Sequence, residues 1–140
     1  MSFTLVPIID SNDHFLETYR QLEERENSIS HTTMPSFSEH VAFVKNNPYR
    51  NWFLIQENRK FVGNLYLHQD NSIGIQLPSS HMSLVPEILN YVSSTWDPLP
   101  AIPSVRRGEF FVNIPTANEA LQRVLTDIGA AEVQRSFLMP

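Results

Sequence analysis

The sequence contains no cysteine, which excludes disulfides, thiolate metal sites and a cysteine nucleophile. Basic charge is also scarce: 10 Lys and Arg stand against 15 Asp and Glu, a net charge of -5. Proteins that bind nucleic acid or anionic membranes concentrate positive charge on one face, so neither partner is expected. The one tight basic pair, Arg106-Arg107, is explained by a solvated loop as well as by a phosphate contact. No run approaches the ~18 consecutive apolar residues of a membrane-spanning helix. The opening "MSFTLVPIIDSNDHF" carries no basic leader. Membrane insertion and secretion are therefore not expected, and the expected location is the cytoplasm. The five histidines, at 14, 31, 40, 68 and 81, show no i, i+4 pair, so no metal site is expected. His31 and His40 read as helix-surface or satisfied loop histidines. Glycine is sparse, with four in the chain, and its absence from the turn "PSSHMSLVP" matters most for function.

What is present fits one domain spanning 1–140. A chain of 140 residues with 41% hydrophobic content buries roughly 68% of its unfolded surface, enough for a core without staples. Phe3 to Ile9 is β-rich, and "DSND" supplies capping residues for a helix in which Phe15 or Leu16, Tyr19 and Leu22 recur at helical spacing. The charges between them read as a solvated face. Ser36 and Glu39 match a capping box at the start of a second helix, which the Asn47-Pro48 step ends. The period then changes. "NWFLIQ", "KFVGNLYLHQ" and "SIGIQL" are three strand-like runs joined by turns short enough for hairpins. In the middle run Phe61, Gly63, Leu65 and Leu67 alternate with Val62, Asn64, Tyr66 and His68, giving a strand with two unequal faces.

Leu84, Val85, Ile88, Leu89 and Val92 repeat at helical spacing, with Pro86 tolerated in a first turn. "SSTWDPLPAIPSV" reads as an extended connection in which Trp96 lies over the core. "GEFFVNIP" is a further strand, "TANEALQRVLTDIGA" a helix closed by Gly129, and "AEVQRSFLMP" a last strand. The order β-α-α-β-β-β-α-β-α-β predicts an α/β fold with a mixed sheet covered by helices on both faces.

That order, with the stretches "PSFSEHVAFVKNNPYRNWFLIQENRKFVGNLYLHQDNSIGIQL" and "IPTANEALQRVLTDIGA", resembles the GNAT superfamily of acyl-CoA-dependent N-acyltransferases over nearly the whole chain. The resemblance implies a mostly antiparallel sheet of about six strands flanked by four helices. It also implies acetyl-CoA or another acyl-CoA as cofactor, and an amine acceptor that is a small molecule or a peptide. In the family, backbone amides of a loop with the pattern Gln/Arg-x-x-Gly-x-Gly/Ala hold the pyrophosphate, because glycine permits close approach and a helix start carries partial positive charge. "PSSHMSLVP" departs from that pattern in either register, placing Met82 and Leu84, or Ser83 and Val85, at the small-residue positions. The family's common Tyr position falls at Leu125, and its common Phe after the Gly falls at Ala130.

The resemblance leaves backbone groups as the expected cofactor contacts: Ile75, Gln76 and Leu77 for the pantetheine arm, and Ser83, Leu84 and Val85 for the phosphates. Asn118 matches the family's helix-opening Asn, and it equally suits an N-cap. His81, in the loop itself, and Tyr66 are the candidate catalytic residues, since imidazole exchanges protons near neutral pH. His68 and Glu109 are further candidates. Two functions follow: a divergent N-acyltransferase, or a non-catalytic module of the same fold that binds a ligand or a protein. A homodimer completed across a sheet edge is a further expectation.

Overall fold

The computed structural model describes residues 2–25 and 33–140; His31 lies outside them. The order is β1 (Thr4–Pro7), α1 (Asn12–Glu24), α2 (Phe37–Lys45), β2 (Asn51–Glu57), β3 (Lys60–Leu67) and β4 (Ser72–Gln76). A 3₁₀ turn (Ser79–Leu84) then leads into α3 (Val85–Thr95), followed by β5 (Phe111–Val112) and α4 (Glu119–Asp127). The strands form one sheet in chain order, antiparallel from β1 to β4 and parallel between β4 and β5. Among the described residues no helix is long and apolar enough to cross a membrane.

Local chemistry sets the boundaries. The Ser11 hydroxyl accepts from the His14 amide at 3.3 Å and opens α1. Ser36 and Glu39 form the expected reciprocal capping box at α2. Asn58 and Arg59 both take positive φ, 51° and 65°, the geometry a tight hairpin requires. At the far end of the chain, Gly129 has φ 90° and the Ala130 amide turns back to the Leu125 carbonyl, so a residue without a Cβ closes α4.

One face of the sheet is dry. Phe53, Ile55, Leu65, Leu67 and Ile73 pack with Leu84, Val85, Ile88, Leu89 and Val92, and with Leu121 from α4, in a single apolar cluster. Trp96 covers its edge against Phe53, ring centroids 5.3 Å apart. The other face meets α1 and α2, whose buried residues include Phe15, Val44 and three polar side chains, Thr18, Gln21 and His40.

Three expectations change. The buried stripe of α1 is Phe15, Thr18 and Gln21, while Leu16 is exposed. In β3 the alternation reverses at a bulge: Ile55 pairs with Gly63 but Gln56 pairs with Phe61. Val62 is the extra residue and packs on the dry cluster, and Phe61 turns to the α1 side against His14. Finally, among the described residues the sheet has five strands instead of six. "GEFFVNIP" contributes only Phe111–Val112 to the ladder, and residues 130–140 pair with no strand. A two-residue β5 offers too short an edge to template a sixth strand, so Phe137 and Leu138 stay exposed.

Candidate functional site

The site begins where β4 and β5 part. Asn71, fully buried, receives the Leu99 amide at 2.7 Å and donates to the Leu99 and Arg107 carbonyls, while its own carbonyl accepts from Phe111. These bonds anchor the proline-rich connection and fix the start of β5. Pairing lasts for Ser72–Phe111 and Ile73–Val112 only. Beyond it the chain reaches Pro115, which has no amide to offer a ladder. The β5-facing edge of Gly74, Ile75 and Gln76 therefore opens onto a cleft of about 580 Å³.

Leu77, Pro78 and His81 continue the cleft from the β4 side, Asn113, Pro115 and Asn118 face them from the β5 side, and Tyr66, Trp52 and Asn64 form the wall toward α1 and α2. Six of the residues singled out in the sequence thus come together: Ile75, Gln76, Leu77, Tyr66, His81 and Asn118.

Tyr66 is held against β4 by a glycine. A Cβ on Gly74, its cross-strand partner, would lie 1.9 Å from the phenol Cζ, so the hydroxyl end of the ring sits at the point where the strands part. Tyr49 stacks on the same ring at 4.1 Å and 13°. Burial pushes both phenols above the ordinary tyrosine value, and each stays neutral through ordinary pH. His81 places Nε2 3.5 Å from the Glu57 carboxylate and Nδ1 3.0 Å from the Ser80 hydroxyl. Asn118 is the N-cap of α4, its Oδ1 accepting from Leu121 at 3.2 Å.

The expected phosphate amides are placed elsewhere. Leu84 and Val85 are core residues, the Val85 amide donates to the Met82 carbonyl, and Ser83 is exposed outside the cleft lining. The 3₁₀ turn moves the helix start toward Pro78, and there the His81 amide is already bonded to the Pro78 carbonyl at 2.9 Å. The β5-facing edge of β4 is thus open beyond Ile73, whereas the Val85 amide is already spent on the Met82 carbonyl. Glu109 is exposed and His68 stands beside Asp70, 3.6 Å away, and neither lines the cleft.

The sequence reading missed a buried polar relay. The Trp52 indole donates to Asn64 at 3.1 Å, Asn64 donates to Gln21 at 2.9 Å, and Gln21 donates to Glu17 at 2.8 Å and to the Gly63 carbonyl at 3.2 Å. A second pair joins His40 Nε2 to the Thr18 hydroxyl at 2.6 Å. Burial in this setting lowers the His40 pKa. The signal was available: Thr18 and Gln21 follow Phe15 at three-residue steps, and Asn64 interrupts an apolar strand.

No family model matches the chain, and no curated protein matches it by sequence. Solved structures do. An acetyltransferase from Thermus thermophilus superposes with TM-score 0.65 at 13% identity, over 92% of this chain and 86% of that one. The aminoglycoside N-acetyltransferase AAC(6')-Iy, in complex with a CoA bisubstrate analogue, gives 0.64 at 13% identity over 100% and 98%. The dodecameric spermidine N-acetyltransferase of Vibrio cholerae gives 0.58 at 12% identity over 95% and 81%. At such identities the likeness is one of fold, and the fold of this chain is that of the GNAT acetyltransferases.

Proposed function

We propose that the chain is an N-acyltransferase that takes an acyl group from acetyl-CoA or another acyl-CoA and passes it to an amine in the cleft. The parting of β4 and β5 carries this reading. An extended pantetheine arm pairs with Ile75, Gln76 and Leu77 as an added strand, through bonds that depend on backbone and not on side chains. The same fold holds CoA in AAC(6')-Iy. Asn118 keeps its carbonyl on α4 and offers its amide nitrogen to the cofactor.

In the reaction the amine lone pair attacks the thioester carbonyl, the C–N bond forms and the C–S bond breaks. The amine proton must leave, and the departing thiolate takes one up. His81 is the base: Nε2–H faces Glu57, which leaves Nδ1 basic beside the Ser80 hydroxyl. Tyr66, neutral at the point where the strands part, is the proton donor to the thiolate.

Titration with CoA and acetyl-CoA tests the reading. Binding to the native state raises the melting temperature, by mass action about 2.7 kcal/mol of stabilisation at a hundredfold excess over Kd. No shift at millimolar ligand overturns it. The non-catalytic reading is favoured by the occupied amides of His81 and Val85. Under it the chain binds CoA or another ligand but releases no thiol from acetyl-CoA with any amine.

A further inference from the structure

Four aromatic rings gather on the wall of the cleft: Phe43 from α2, Tyr49 before β2, Trp52 from β2 and Tyr66 from β3. Tyr49 lies flat on Tyr66, while Trp52 and Phe43 stand edge-on to Tyr49 at 5.1 Å and 5.9 Å. Phe43 is 42% exposed, so part of its ring is open at the cleft wall.

The wall is rigid. Trp52 is fixed by Asn64, and Asn64 by Gln21, two amides that are only 7% and 8% exposed. Gln21 is anchored in turn to Glu17 and to the Gly63 carbonyl. Both amides are satisfied by these bonds, and holding one indole in place through them pre-organises a binding surface.

Charge among the described residues of the cleft is balanced. Among the described lining residues, Arg20 and Arg25 stand against Glu24 and Glu39. Glu24 is held by Arg20 at 2.6 Å, and Glu39 by Ser36 in the capping box at 2.9 Å. A polycation finds no excess negative charge among these described residues to offset its desolvation. A single ammonium on a flat apolar body finds aromatic faces that attract the charge and stack on the ring.

We infer that the acceptor is a primary amine carried on a short arm from an aromatic ring, seated against Trp52, Tyr49 and Phe43. A polyamine or amino sugar is excluded as the preferred ligand. The same chemistry is offered by a free arylalkyl amine and by a peptide with an N-terminal aromatic residue. The inference rests on the acyl-transfer reading for the fate of the amine, but not for its binding.

Calorimetric titration of the full chain with 2-phenylethylamine, a dipeptide starting with phenylalanine, spermidine and neamine tests it, with CoA titrated separately. One of the two aromatic amines is expected to bind at least about tenfold more tightly than either polycation, and which one identifies the source. Phe43→Ala is expected to loosen it by roughly two- to thirtyfold and leave CoA binding unchanged. Phe43 is exposed enough for this variant to fold. In a Trp96→Phe background, where Trp52 is the sole tryptophan, the aromatic amine is expected to change indole emission. Tighter binding of spermidine or neamine, or a Phe43→Ala variant of unchanged affinity, overturns the inference. Aromatic amine binding without CoA binding supports it while overturning the transfer reading. CoA-dependent turnover of spermidine alone does the reverse.

Discussion

The two faces of the sheet are built by the same strands and differ in almost every physical respect. From β2 and β3, Phe53, Ile55, Leu65 and Leu67 enter the dry cluster under α3 and α4, while the intervening Trp52, Asn64 and Tyr66 line the cleft beside α1 and α2. The first face consists of interchangeable apolar volume and serves stability. The second buries amides, a hydroxyl and an imidazole, each of which must find a partner, and those partners are named bonds. Strand alternation therefore separates the apolar core from the side chains that line the cleft.

The largest effect comes from breaking the dry face. Ile88 is fully buried among apolar neighbours, and Ile88→Ala is expected to cost about 2–5 kcal/mol by chemical denaturation. CoA affinity of the remaining folded protein should be unchanged. A cost below roughly 1 kcal/mol would show that this face is loosely packed. Tyr66→Phe is the converse change. It keeps the ring on Gly74 and Tyr49 and removes the hydroxyl, so kcat should fall on the order of 100-fold with little change in stability. Unaltered kcat sinks the assignment of Tyr66 as proton donor. Asn64→Leu comes next, because it strands the Trp52 indole N–H and the Gln21 carbonyl in a buried place. The expected loss is about 1–3 kcal/mol, with a red shift in Trp52 emission, read in the Trp96→Phe background, as the ring loosens.

The same division explains what the sequence disclosed. Apolar periodicity marks the dry face directly, and so α3, α4, the meander and the fold class were legible from Leu84, Ile88, Val92 and their like. Capping rules placed Ser36, Asn118 and Gly129 because each acts on its own helix. Ile75–Leu77 was singled out only through the family resemblance, because nothing local in those residues says where β5 stops pairing. The 3₁₀ turn was not anticipated: it arises from how Leu84 and Val85 sink into the core, a tertiary demand with no local signature. Nor were the bulge at Val62 and the short β5, which depend on strand partners distant in the chain. The relay through Gln21 and Asn64 was hidden for a related reason. Polar residues on a helix read as solvated until a second element covers them.

The pair of His40 and Thr18 gives the subtlest test of the polar face. The Thr18 hydroxyl donates to the His14 carbonyl at 2.8 Å, and its oxygen can accept in turn, across the 2.6 Å contact, from the Nε2–H of His40. Desolvation by burial lowers its pKa below the ordinary histidine value of 6.5. The unfolded chain then binds more protons than the native one in the window between the folded value and 6.5, so stability rises with pH across that window and is complete above it. As pH falls below about 6.5, unfolding is favoured because only the unfolded state readily charges this ring. Denaturation midpoints at about pH 5 and about pH 7.5, on either side of the ordinary histidine value, measure this for the parent chain and His40→Gln, since glutamine donates to Thr18 without titrating. The parent should lose more stability on acidification than the variant; equal losses would mean that a cation is tolerated at His40 and that this part of the cleft wall is wetter than its burial implies.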